Sequence, residues 1–303
     1  MDQSLRTRWH SSVSCLINEL LLLHNYSLGC ESQKNALDAL SQRWLEKVSE
    51  LYAQPHRAYH NMTHIQDVIA SLDFLLERKE CCRPVSLVDT KNNEEAILVL
   101  AAFFHDVIYN PKSSTNEKDS ADLFLQFVSE LLAAISSSQT IQQQGNSITG
   151  DGSPEEQSYK NCDVVMQTEE CIIATATHIE SAAQAHETQN HTLATFLDAD
   201  MSILGKDFDA YNNYAGCIRR EYEFVERNVY CEKRADILES FLPRMEKTTE
   251  GESNSTVPAV AKKHSYIYAT QKGRQRWEEQ ARRNLKNEIE MLRRKVIPCE
   301  EQN

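Results

Sequence analysis

At 303 residues the chain is long enough to bury a sizeable core, and its 41% hydrophobic and 25% charged residues fit a globular rather than a disordered protein. The formal net charge of −13 argues against nucleic acid as the partner, because a phosphate backbone needs concentrated Lys and Arg. An anionic small molecule stays open, since a metal and a few local arginines outweigh the global sign.

With 8 glycines, 7 prolines and no sustained period-2 alternation, the sequence predicts an all-α fold. The first 15 residues hold no basic start followed by an apolar core, and Leu20 to Leu23 is too short for a membrane span. A cytoplasmic protein with no membrane partner is therefore expected. The 9 cysteines are odd in number and form no CxxC pair, so reduced thiols are expected, with Cys81 and Cys82 merely vicinal.

In chain order, Leu5, Trp9, Leu16, Leu20 and Leu23 mark a first helix, and 35–51 a second with Leu37, Leu40, Trp44 and Val48 on one stripe. The third runs over 63–80, with Ile65, Val68, Ile69, Leu72 and Leu76 on one face. The segment 94–107 is almost continuously apolar and reads as a central helix buried all round. Helical spacing continues over 121–135 and 164–178. Polar, aperiodic sequence at about 136–161 and again at about 246–263 predicts two surface insertions in one helical domain spanning 1–303. Trp277, Ala281, Leu285, Ile289 and Leu292 then recur within the charged segment 274–295, a solvated helix docking by an apolar stripe.

The chemistry is concentrated in three words, YHNMTHI (59–65), FHDVIY (104–109) and FLDADMSILG (196–205). His105-Asp106 ends an apolar run, so a charge-bearing pair enters a buried setting. An unpartnered buried carboxylate costs several kcal/mol, which a divalent cation offsets while also fixing the imidazole tautomer. Neighbouring helical residues diverge by about a hundred degrees, so His105 and Asp106 flank one ion only near a helix end. His64, in the first turn of the third helix, and Asp198, behind Phe196 and Leu197, complete a two-histidine, two-carboxylate set. Such nitrogen and oxygen ligation suits Mn, Fe, Co, Ni or Mg.

The order H…HD…D on a helical chain resembles the HD-domain superfamily. Its words look closest to the branch of predicted metal-dependent HD phosphohydrolases, which carries YHNxxHI, FHDxxY followed by NExxSA, FLDxDLxILG and IRxEY. Besides the three words above, NEKDSA (116–121) and IRREY (218–222) match that pattern, as does a closing IY…ARxNLxxEI pattern at Ile267-Tyr268 and 281–289. The match spans about residues 40 to 295. One departure is a lost glycine before Arg234, where Lys233 stands.

The resemblance implies an HD-domain helical bundle with the metal site between helices, held by His64, His105, Asp106 and Asp198, and hydrolysis of a phosphate ester or anhydride. Asp200 rivals Asp198 for the last ligand position. One divalent metal per chain is expected, with a small phosphorylated substrate. Glu117 is the candidate for positioning or deprotonating the attacking water, against a plain helix-first-turn role. Arg219 or Arg220 suits a bidentate phosphate contact, against an ion pair with Glu221 or Glu223. His178, read as ending an apolar helix, is a phosphate or second-metal ligand. His60 and Asn61 orient His64 or the substrate, and His186 and His191 are expected at the surface. The alternative is a metal-binding regulatory or ligand-binding module without turnover. A two-iron oxygenase ranks last, since it needs a second set of histidines. Whether the chain forms a homo-oligomer is left open.

Overall fold

Apolar residues at three- and four-residue spacing become helices along the whole described chain. The computed structural model describes residues 2–28, 30–77, 90–137, 159–242 and 265–298. Its helices are α1 (Gln3–Leu23), α2 (Glu31–Tyr52), α3 (Met62–Leu75), α4 (Thr90–Phe104), α5 (Asn116–Ser136) and α6 (Asp163–Ala174), then α7 (His178–Thr188), α8 (His191–Asp200), α9 (Phe208–Glu221), α10 (Arg227–Phe241) and α11 (Gln271–Arg293). Short 3-10 turns occupy Thr175–Thr177 and Met201–Gly205, and there is no strand among the described residues. The fold is all-α, as composition and spacing predict. None of these helices is long and apolar enough to cross a membrane.

The chain divides into two compact units, residues 1–176 and 177–303. Of the two predicted insertions, only 136–137 and 159–161 are described, and 246–263 lies wholly outside the described residues, as do Cys81 and Cys82. The described cysteines carry free thiols.

In the first unit α4 is the core element. Every residue from Ala96 to His105 is buried, and α1, α3, α5 and α6 pack on it. Trp9 of α1 meets Phe103 edge to face at 5.1 Å, and Trp44 of α2 meets Phe127 of α5 at 5.2 Å. Such aromatic pairs are each worth about 0.5–1.5 kcal/mol beyond the area they bury. The two indole N–H groups are satisfied, Trp9 on Ser41 and Trp44 on Glu130.

Three boundaries differ from the sequence reading. Helix α3 ends at Leu75 rather than 80, because Glu77 adopts a left-handed φ of 55° that no helix continues. Helix α4 ends at Phe104 rather than 107, which sets His105 and Asp106 just past its last turn. The predicted helix 164–178 breaks at Thr175, whose hydroxyl donates to the Ile172 carbonyl at 2.8 Å and competes with the helical ladder. His178 therefore begins α7 instead of ending α6.

In the second unit α11 packs against α10 and against the Met201–Gly205 turn. A Cβ at Gly205 would lie 2.3 Å from Trp277 Cβ and 2.7 Å from its Cα, so only glycine permits this approach. Trp277, Ala281, Leu285 and Leu292 are buried as expected. Ile289, however, is half-buried, and Glu288 takes the inward position, accepting from Arg234 Nε at 3.1 Å and from the Tyr211 hydroxyl. Arg234 is thus held by an ion pair inside its own unit.

Candidate metal centre

Helix α3 begins where Asn61 accepts a hydrogen bond from the Thr63 amide at 2.8 Å, while its side-chain amide donates to the Ala58 carbonyl at 3.1 Å. Both ends of Asn61 thereby shape the turn from which His64 follows, a capping role. The cap sets His64 two residues beyond Met62, in the first helical turn, with only 3% of its surface exposed. From the other side, the end of α4 delivers His105, which is 1% exposed.

Three donors converge here within the first unit. His64 Nε2 and His105 Nε2 are 3.1 Å apart, and Asp106 Oδ2 lies 3.1 Å from His105 Nε2 and 3.6 Å from His64 Nε2. The tautomer of His105 follows from its other nitrogen. Nδ1 is 3.0 Å from the Ala102 carbonyl, an acceptor, so Nδ1 carries the proton and Nε2 presents its lone pair. This second contact is the usual one for a metal-bound histidine. Two nitrogens each about 2.1 Å from an ion, at a right angle, stand about 3.0 Å apart. The separation of 3.1 Å fits that arrangement, so His64, His105 and Asp106 could hold a metal ion.

Around them, the His60 ring lies against Tyr109, tilted by 32° with centroids 4.3 Å apart, and its Nε2 is 4.0 Å from Asp106 Oδ2. That reach permits an ion pair when His60 is protonated but is too long for a hydrogen bond. The NEKDSA word anchors the loop after the HD pair. Asn116 brackets the backbone N–H and carbonyl of Asn110 at 3.0 Å each, and buried Ser120 does the same for Ile108 at 3.1 and 3.3 Å. Glu117 is half-buried in the first turn of α5.

The second unit separates the two rival aspartates. Asp198, 2% exposed, accepts from the Ala269 amide at 2.7 Å, the Thr270 amide at 2.8 Å and the Thr270 hydroxyl at 2.6 Å. Burial pushes its carboxyl up to about 6, against the pull of these hydrogen bonds and of Arg274. Gly273 completes the cradle, since a Cβ there would lie 2.3 Å from Asp198 Oδ2. The carboxylate expected to bind metal is thus engaged in fastening the entry to α11. Asp200 meets His178 instead, Oδ2 to Nε2 at 2.7 Å, and both are partly exposed. His186 and His191 are exposed, as expected.

The two arginines of the IRREY word have different surroundings. Arg219 donates to the carbonyls of Tyr222 at 2.9 Å and Val225 at 3.1 Å and lies over the Tyr230 ring. Arg220 is exposed and contacts Cys217 Sγ. Sequence reasoning missed Arg57, buried two residues ahead of the YHN word, because nothing in a sequence marks an arginine whose acceptors are main-chain carbonyls.

Comparison of the chain with family models, curated proteins and solved structures finds no match in any of the three.

Proposed function

We propose that this chain is a metal-dependent phosphohydrolase of the HD-domain kind, acting on a nucleotide or another small phosphorylated metabolite. The observation that carries the reading is the convergence of His64 Nε2, His105 Nε2 and Asp106 Oδ2 within 3.1–3.6 Å at the end of a buried helix. The family resemblance adds a carboxylate from the FLDADMSILG word. We assign it to Asp200, because Asp198 already accepts three hydrogen bonds from 269–270. Two imidazoles with carboxylates are a donor set that could hold a metal ion, and Mn, Fe, Co, Ni or Mg suit it.

A bound divalent ion supplies Lewis acidity and brings the pKa of water toward neutrality. The chain's own residues do the rest. His105 is fixed in its acceptor tautomer by Ala102. His178 holds one oxygen of Asp200 and so orients that carboxylate. His60 beside Asp106 offers a proton to a phosphate oxygen, and Glu117 is the base candidate at the start of α5.

The test is elemental analysis of the purified protein paired with a phosphate-release screen over nucleotides and sugar phosphates with Mn, Mg, Co and Ni. One metal per chain with turnover on any member supports the hydrolase, and a protein that binds none of these metals refutes it. A second reading, a metal-binding regulatory or ligand-binding module without turnover, is favoured by the engagement of Arg219 with its own loop. Bound metal without phosphate release across the panel selects that reading.

A further inference from the structure

We infer that Arg57 is a positioning residue that locks the two ligand-bearing segments into register. The inference rests on the metal reading above and deepens it. Arg57 is 6% exposed, and its guanidinium is shared between the two sides of the centre. Nη1 donates to the His60 carbonyl at 3.1 Å and to the Asp106 carbonyl at 2.7 Å. Nη2 donates to the Val107 carbonyl at 2.8 Å, and Nε to Gln54 Oε1 at 3.3 Å. The guanidinium lies over the Tyr52 and Tyr109 rings, at 4.9 and 5.4 Å from their centroids.

The acceptors explain why this matters. Asp106 and Val107 lie just past the end of α4, beyond His105, where the helix dipole is negative. The His60 carbonyl lies just ahead of the Asn61 cap that starts α3. One planar cation therefore holds the segment just past α4 that carries Asp106, and at the same time ties it to the turn that delivers His64. Tyr109 closes the arrangement, since its ring faces both Arg57 and His60. Three carbonyls in different directions need a fork of fixed geometry. Lysine, a single point of charge on a flexible stem, reaches only part of this set.

The experiment measures Co2+ affinity of the full-length chain by titration, using visible absorption of the bound ion, for wild type, Arg57→Ala, Arg57→Lys and His64→Ala. Helix content and melting temperature are recorded in parallel. Loss of a contact that orients a metal ligand costs about 10- to 100-fold in affinity. Arg57→Ala is expected to stay helical and lose affinity in that range, and to regain it on addition of guanidinium or methylguanidinium. Arg57→Lys is expected to bind about tenfold more weakly than wild type. Wild-type affinity in Arg57→Lys overturns the inference. So does a folded Arg57→Ala that binds as wild type or is not rescued. Should Arg57→Ala fail to fold, Arg57→Lys decides alone. Failure of the underlying reading looks different, because then wild type takes up no Co2+ or His64→Ala binds as tightly as wild type, and the inference falls with it.

Discussion

Asp198 and Asp200 lie two residues apart on α8, and their substitutions are expected to have opposite consequences. Asp198→Asn keeps size and one acceptor oxygen but turns an amide N–H2 toward donors that now serve a carboxylate, the Thr270 amide and hydroxyl. Hydrogen bonds to a charged acceptor are worth about 1.5–3 kcal/mol each. Asn retains one of the three contacts, and burial already disfavours the ionised carboxylate, whose pKa sits at about 6. A net loss of about 3 kcal/mol is the working figure, and at about 2–4 °C per kcal/mol for a chain of this size the melting temperature falls by about 6–12 °C. Metal affinity of the folded variant, measured by Co2+ titration, is expected to stay within about tenfold of wild type, the lower end of what an outer contact costs. Asp200→Asn removes a proposed ligand and a partly exposed contact with His178, so it is expected to melt within about 4 °C of wild type. Its Co2+ affinity drops by more than the roughly 100-fold ceiling of an orienting contact. The reasoning is refuted by the reverse pattern, in which Asp198→Asn melts as wild type yet loses the metal.

Other expectations follow from close contacts. Gly205→Ala forces a methyl against the Cα and Cβ of Trp277, atoms that cannot swing aside, and is expected to cost about 3 kcal/mol, read as a lower midpoint in urea. Glu288→Gln leaves the buried Arg234 cation without its carboxylate and is expected to cost about 3–5 kcal/mol by the same assay, whereas a loss under about 1 kcal/mol means the pair is better solvated than its burial suggests. Burial, aided by the charge of Glu19, pushes the Cys15 thiol up to about 11, so at pH 8 its thiolate is scarcer than that of an ordinary cysteine on the order of a hundredfold. Because the protonated thiol is the favoured form, raising the pH from 8 toward 10 should accelerate its alkylation about tenfold per unit. Mass mapping should find exposed Cys30 modified first, and equal labelling at pH 8 contradicts the buried environment.

The helices were legible because burial follows the spacing of apolar residues. Leu37, Leu40, Trp44 and Val48 read as one stripe and are all buried, and the segment 94–107 reads as buried all round and is so from Ala96 to His105, while Glu94, Glu95 and Asp106 are half-buried. The sequence was silent wherever a side chain's partner is backbone far away in the chain. Asp198 meets Ala269 and Thr270, 71 and 72 residues on, so its three donors leave no local pattern. Arg219 turns back onto Tyr222 and Val225, and Arg57 reaches across 49 residues to Asp106, again onto carbonyls that any residue carries. Glu288 displaced Ile289 from the inward stripe because it finds both a cation and a hydroxyl there, which hydropathy alone does not weigh.

These misses share a physical cause, and it bears on how the motif words are to be understood. A word such as FLDADMSILG mixes residues with separate duties: Asp198 fastens 269–270, Gly205 admits the Trp277 backbone, and Asp200 keeps a side chain turned to His178. The closing segment answers the same word, since Asn284 donates to the carbonyls of Leu204 and Lys206 at 2.8 Å each and the Tyr268 hydroxyl donates to Met201. A buried carboxylate is tolerated only when fully hydrogen-bonded or bound to a cation. In this chain Asp198 meets the first condition from within its own unit. Asp106, half-buried, has its Oδ2 3.1 and 3.6 Å from two imidazole nitrogens, the surroundings from which the second condition is proposed for it.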